Sequence, residues 1–207
     1  MRRPQRASGF TMIEMAVTMT VFAILVALGV PTMTTWIRNN KVRTVADSLQ
    51  NGLRLAQAES MRRSRQVVFA LTNSTTPNLK PLPAVVGGTS WAIWTLPSMS
   101  AADEQPQFIQ SGELSNASSQ VTITTTVSTV CFNSMGRLVN NASAAVTDIT
   151  GGDTCIQPNT GTPPMLKFNI DLAGADRPLQ VNLALGGQVH MCDFNVPISD
   201  AHPEGCP

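Results

Sequence analysis

Apolar and polar positions divide the chain into three stretches. The run from Met15 to Val30 holds no ionisable group, and between Phe10 and Val30 the single ionisable side chain is Glu14. As a helix rising ~1.5 Å per residue, this stretch is long enough to cross a bilayer core of about 30 Å. From Ile37 to Arg63, Val42, Val45, Ala46, Leu49, Leu53 and Ala56 recur at helical spacing, while Arg38, Lys41, Arg43, Asp47, Arg54 and Glu59 fall largely elsewhere. That pattern predicts an amphipathic helix with one face on a core. Gly29 and Pro31 separate the two helical stretches and predict a kink or a locally melted turn, because proline lacks the N–H that would bond four residues back. After Arg65 the period drops to two. Val67, Phe69 and Leu71 alternate with their neighbours, as do Leu166, Phe168, Ile170 and Leu172, then Val181, Leu183 and Leu185. Trp91–Leu96 and Val121–Ser128 read as further strands, and Gly186-Gly187 turns the penultimate strand into Val189–Val196. The predicted fold is α+β, a long N-terminal helix on an antiparallel β-rich domain whose strands turn one side to the helix. Residues 72–90, 101–119 and 140–164 are rich in Gly, Pro, Ser, Thr and Asn and read as loops.

The order of elements at the N-terminus is not that of an ordinary secretory signal. Arg2, Arg3 and Arg6 come first, and the small residues Ala7, Ser8 and Gly9 precede the apolar run instead of following it. Cleavage after Gly9 would leave the apolar helix on the mature chain with Phe10 as its first residue. The three arginines place that end on the cytoplasmic side and the rest of the chain outside. A carboxylate in a membrane helix costs about 2.5–3.5 kcal/mol at the centre and less near an interface, so Glu14 needs a partner. A free amine on Phe10 at the helix N-terminus would supply one, from the same chain or from a neighbouring one. These features divide the chain into a leader (1–9), a transmembrane and assembly half-helix (10–35), an amphipathic half-helix (36–64) and an extracytoplasmic β-rich domain (65–207), with 36–207 as one globular unit.

Gly9, Phe10, Thr11 and Glu14 ahead of a spanning helix resemble the class III signal of type IV pilins and type II secretion pseudopilins. The resemblance implies that a prepilin peptidase cuts between Gly9 and Phe10 and methylates the Phe10 amine. It also implies that Glu14 pairs with the amine of the adjoining subunit to set register, and that Pro31 matches a family proline whose surroundings can unwind in filaments. Leu53 to Arg63, leading directly into a strand at Gln66–Thr72, resembles the FimT/GspH group of minor pilins and pseudopilins. Phe132-Asn133-Ser134-Met135-Gly136-Arg137 and the strand pair around Gly186-Gly187 extend the likeness. The expectation is then a pilin fold and a minor pilin that primes or caps a type IV pilus. Its partners would be other minor pilins, the major pilin, the prepilin peptidase, and the inner membrane with its pilus assembly machinery. It would sit as a single-pass inner-membrane protein with a periplasmic domain, then move to the filament at the cell surface. A GspH-type secretion pseudopilin is the alternative.

Composition narrows the remaining possibilities. The net charge is +1 with 13% charged residues, so overall charge does not direct the chain to nucleic acid. Some FimT-like proteins take up DNA through a Gly-Arg-x-Arg hairpin, but this chain has Gly187-Gln188-Val189-His190 there, leaving Arg137 and Arg177 as the candidate cations. Cys131, Cys155, Cys192 and Cys206 all follow the membrane helix, and an even set in an exported domain predicts disulfides. Of the three connectivities, Cys131–Cys155 and Cys192–Cys206 are preferred, stapling a loop to its strand and the tail to the last strand. A metal site from His190, Cys192, Asp193 and His202 follows no standard spacing. No nucleophile elbow, Walker lysine or His-Glu-x-x-His is present, so neither catalysis nor a cofactor is expected.

Overall fold

The computed structural model describes residues 9–98, 104–114, 120–159 and 164–207. The chain divides into two units, Met1–Ile37 and Arg38–Pro207. Helix α1 (Met12–Arg63) is assigned across both. Its backbone is helical through Gly29 and Pro31, so the locally melted turn expected there is not found; the Pro31 side chain lies outside the described residues. An intact helix is compatible with proline because a single missing N–H removes one ladder bond and leaves the rest in place.

In the second unit the core faces of α1 and two sheets meet. Strands β1 (Val67–Thr72), β2 (Ser90–Thr95), β3 (Gln107–Glu113), β5 (Thr129–Phe132) and β6 (Leu138–Val139) form one sheet in the order β3-β2-β1-β5-β6. Strands β4 (Thr122–Thr124), β7 (Met165–Asp171), β8 (Leu179–Ala184), β9 (Val189–Pro197) and β10 (Gly205–Cys206) form the other, ordered β10-β9-β8-β7-β4. Pairing is antiparallel except for β10, which runs parallel to β9. Val42, Val45, Ala46, Leu49, Leu53 and Ala56 are buried with Phe69, Trp91 and Phe132 of the first sheet and Phe168, Ile170, Val181 and Leu183 of the second. Gly52, within the helix, lets the first sheet pack close against α1. A Cβ there would lie 2.8 Å from the Trp91 ring, which itself stacks on Phe69 at 5.9 Å between centroids.

The first sheet departs from the one-sided pattern expected of it. All six residues of β1 are buried, not alternate ones. The reason is a second core on its outer face, where Val68, Ala70, Ala92 and Trp94 pack against Leu82, Val146 and Ile149. The last two belong to α2 (Ala144–Thr150), a short helix inside a stretch expected to be loop. Lys80 Nζ pairs with Asp148 Oδ2 at 2.8 Å, and the Leu82 N–H donates to the Ile149 carbonyl, so the 73–89 segment is tied to this helix. β3 likewise occupies a stretch expected to be loop. Two disulfides complete the unit, Cys131–Cys155 and Cys192–Cys206. The first sits in the second core with both cysteines buried. Its sequence separation is 24 residues. Replacing both cysteines with alanine frees that loop in the unfolded chain and removes buried sulfur, so the urea midpoint should fall by the equivalent of about 3 kcal/mol. An unchanged midpoint would show that the staple carries no stability.

Candidate functional site

The first unit is an apolar helix without a covering partner in the described chain. Phe10, Met12, Ile13, Met15, Val17, Met19, Val21, Phe22, Ile24, Leu25 and Leu28 are all exposed. The helix is long and apolar enough to cross a membrane. Such a surface is stable only in lipid or against other apolar helices. Gly9 and Phe10 precede the helix, and leader residues 1–8, with the three arginines, lie outside the described residues.

Glu14 has a local partner that the sequence reading did not assign. Thr11 is the residue before α1, and its hydroxyl oxygen accepts from the Glu14 N–H at 3.3 Å. A Glu14 carboxylate oxygen in turn accepts from the Thr11 N–H at 3.5 Å. This reciprocal pair is a capping box, which satisfies two of the four N–H groups a helix start leaves open. The spacing Thr11-x-x-Glu14 carries the signal. The arrangement keeps the carboxylate at the helix N-terminus, one residue from the Phe10 nitrogen, where the helix dipole favours negative charge.

At the far end of α1, three arginines meet two carboxylates. Glu59 accepts from Arg62 Nε at 2.9 Å and Arg62 Nη2 at 2.6 Å, and from Arg63 Nε at 2.7 Å. Arg65 pairs with Glu104 at 2.7 Å. The Arg62 and Arg63 hydrogen bonds pull the Glu59 carboxyl down to about 2 from its ordinary 4.5. A depressed carboxylate stabilises the folded state above its unfolded pKa, and that contribution fades as pH falls from about 4.5 toward 2. Glu59→Gln should cost about 1–2 kcal/mol at pH 7, after allowance for the exposed Arg62, and flatten stability across that acid window. Unfolding followed from pH 7 to pH 2 checks this; parallel acid limbs in both proteins would contradict it.

The motifs that suggested the family converge on α1. Gly136, in the turn between β5 and β6, presents its carbonyl to Gln57 Nε2 at 3.1 Å. Gly187, in the β8–β9 turn, has φ +85° and sits so close that a Cβ would lie 2.0 Å from the Gly136 oxygen and 2.4 Å from Gln57 Nε2. The Leu138 N–H also donates to the Leu185 carbonyl at 3.0 Å, joining the two sheets beside this point. The turn itself is shaped by Asn133, whose Oδ1 accepts from the Met135 and Arg137 N–H groups.

The two candidate DNA cations do not come together. Arg137 is in the turn against Gly187, whereas Arg177 precedes β8, whose other end leads to that turn. The six residues of β8 put ~20 Å between these ends. The Arg177 N–H is held by Asn39 Oδ1 at 3.4 Å, and Asp176, Asp193 and Glu204 share its end of the sheet. Cys192 is bonded to Cys206, so it is no thiolate ligand for a metal.

A membrane-length apolar helix that continues into the core of a β-domain defines the pilin and pseudopilin class of exported subunits. Two family models match the chain: type II transport protein GspH over residues 45–187, and the prokaryotic N-terminal methylation motif over residues 4–30. The GspH match spans more than half of the sequence, and the chain belongs to that family. Two crystal forms of the type IV minor pilin FimU from Pseudomonas aeruginosa are similar to it. One has 13% identity and a TM-score of 0.43, covering 72% of this chain and 90% of that one. The other has 14% identity and a TM-score of 0.45, covering 73% and 88%. No curated protein matches. Members of the pilin and pseudopilin families are structural subunits, not enzymes.

Proposed function

We propose that the chain is a minor pilin of a type IV pilus that primes assembly or caps the filament by packing its helix among those of other minor pilins and the major pilin. The observation that carries this reading is the uncovered apolar helix from Phe10 with Glu14 as its one charge. A prepilin peptidase cuts after Gly9 and methylates Phe10. Glu14 then exchanges its capping bond for the amine of the adjoining subunit, which fixes register because an unpaired carboxylate among apolar helices is costly. Pro31 marks where α1 gives way if the filament demands it. Before assembly the subunit spans the inner membrane once, with residues 65–207 in the periplasm.

A GspH-type pseudopilin of a secretion filament is the second reading, favoured by the family description itself. An in-frame deletion distinguishes the two. Loss of surface pili with normal protein secretion supports the pilin, whereas normal piliation with retained exoproteins in the periplasm supports the pseudopilin.

A further inference from the structure

Within the second unit, beyond the last turn of α1, four chain segments enclose an open groove of about 510 Å³. They are the α1–β1 turn (64–66), the end of β2 (96–98), the start of the β5–β6 turn (133–134) and the stretch leading into α2 (140–145). The volume lies within the ~300–1,000 Å³ of small-molecule sites. The amides in this groove are oriented by partners that can only donate. Asn133 Oδ1 accepts from the Met135 and Arg137 N–H groups, and Asn140 Oδ1 accepts from the Gln157 N–H at 2.6 Å. Asn141 Oδ1 accepts from the Ser143 N–H at 2.8 Å, so its Nδ2 is the atom that donates to Gln66 Oε1 at 2.6 Å. A backbone N–H offers no lone pair, so these bonds fix which end of each amide is oxygen. The NH2 groups of Asn133, Asn140 and Gln66 are left without a protein acceptor among the described residues. Ser143, the N-cap of α2, makes no side-chain cap bond, which leaves its hydroxyl available as well.

The groove is rich in donors but offers no unpaired cation among its described lining residues. Arg65 pairs with Glu104 Oε2 at 2.7 Å, and the same oxygen accepts from the Ser98 N–H at 2.8 Å. That pairing disfavours an anion and leaves a neutral, oxygen-bearing ligand as the better match. The hydroxyls of Ser64, Ser134 and Ser143 can both donate and accept, as the hydroxyls of a sugar do. Donors from four separate segments suit a ring with oxygens on several sides, whereas an extended peptide is read by the edge of a strand. Leu96, Pro97 and Ala145 add an apolar part to the lining. An acetamido substituent serves both needs, because its carbonyl oxygen has two lone pairs for NH2 groups and its methyl group can rest on apolar side chains. We propose that this groove binds a neutral saccharide carrying acetamido groups. The site lies wholly within the second unit and does not depend on whether the chain enters a pilus or a secretion filament.

The full chain, held in a phosphocholine detergent that has no sugar headgroup, is titrated with N,N′-diacetylchitobiose, maltose or a blocked dialanine peptide, and binding is read by saturation-transfer NMR on the ligand protons. Diacetylchitobiose should bind at least about fivefold more tightly than maltose, which lacks the acetamido groups, and the peptide should show no transfer. Asn140→Asp and Gln66→Glu keep the oxygens that accept from Gln157 and Asn141 but turn the NH2 donor into an acceptor. Each should weaken diacetylchitobiose about tenfold. Asn73→Asp adds the same charge at the opposite end of β1, ~20 Å from Gln66, and should leave binding unchanged. No transfer to diacetylchitobiose from the unaltered chain, equal binding of maltose, binding of the peptide in its place, or binding that Asn140→Asp and Gln66→Glu leave unchanged would each overturn the proposal.

Discussion

Gly187→Val should destabilise the domain by about 3–5 kcal/mol, while Gly186→Ala, one residue away, should change stability by less than about 0.5 kcal/mol. The contrast follows from local geometry. Gly187 has φ +85°, which costs a branched residue of order 1–2 kcal/mol, and its missing Cβ is the space that the Gly136 carbonyl and Gln57 amide occupy. Filling it must push the hairpin off α1, adding about 1–3 kcal/mol of overpacking and about 1 kcal/mol for the lost Gln57–Gly136 hydrogen bond. Gly186 has nothing within 4 Å of its Cβ position. Urea unfolding of the full chain in detergent, followed by fluorescence of the buried Trp91 and Trp94, measures both. Equal effects at the two positions would mean that the meeting of hairpin, turn and helix does not organise the domain. A marginally stable fold has about 5–15 kcal/mol to lose, so the valine variant should be near its limit.

Glu14→Ala should leave processing after Gly9 largely intact and lower incorporation into filaments by about 100-fold. That figure corresponds to ~3 kcal/mol, the order lost when one partner of a buried charge pair is removed. The capping box supplies a control that separates two roles of the same side chain. Glu14→Gln keeps an oxygen for the Thr11 N–H but has no charge for an amine, whereas Thr11→Ala removes half of the cap and leaves the charge. If register is electrostatic, the glutamine variant fails like the alanine one and Thr11→Ala still assembles. The reverse pattern, assembly rescued by glutamine and lost with Thr11→Ala, would assign Glu14 to helix capping alone.

The parts of the fold legible in the sequence are those whose apolar positions are periodic. Val42 to Ala56 announced the core face of α1, and Leu166 to Ile170 with Val181 and Leu183 announced β7 and β8, because alternate residues there are apolar and pack with α1, while Gln180 and Asn182 between them in β8 are polar although buried. β3 was illegible: it is an edge strand with mostly exposed or half-exposed residues, and its sequence, Gln-Phe-Ile-Gln-Ser-Gly-Glu, carries little alternation. α2 has only seven residues, too few for a helical period to register, and is held by Val146 and Ile149 reaching a second core that no local pattern discloses. That core also hid the double-sided burial of β1. At the N-terminus the apolar run and Glu14 are legible, and so is Thr11 three residues before it, the spacing of the capping box that an amine partner for the carboxylate leaves out. The meeting of Gln57, Gly136 and Gly187 brings together residues up to 130 positions apart. Each motif was visible in the sequence; their convergence was not, since only the packed sheets bring them to one point.

The chemical state of the N-terminus in the assembled filament tests the central claim most directly. Filaments sheared from the cell surface are digested and the peptides of this chain sought by mass spectrometry. The account predicts a peptide beginning at N-methylated Phe10, scarce beside an abundant major pilin. A chain that keeps Met1, or that is processed in membranes and absent from sheared filaments, would contradict its place as a pilus subunit.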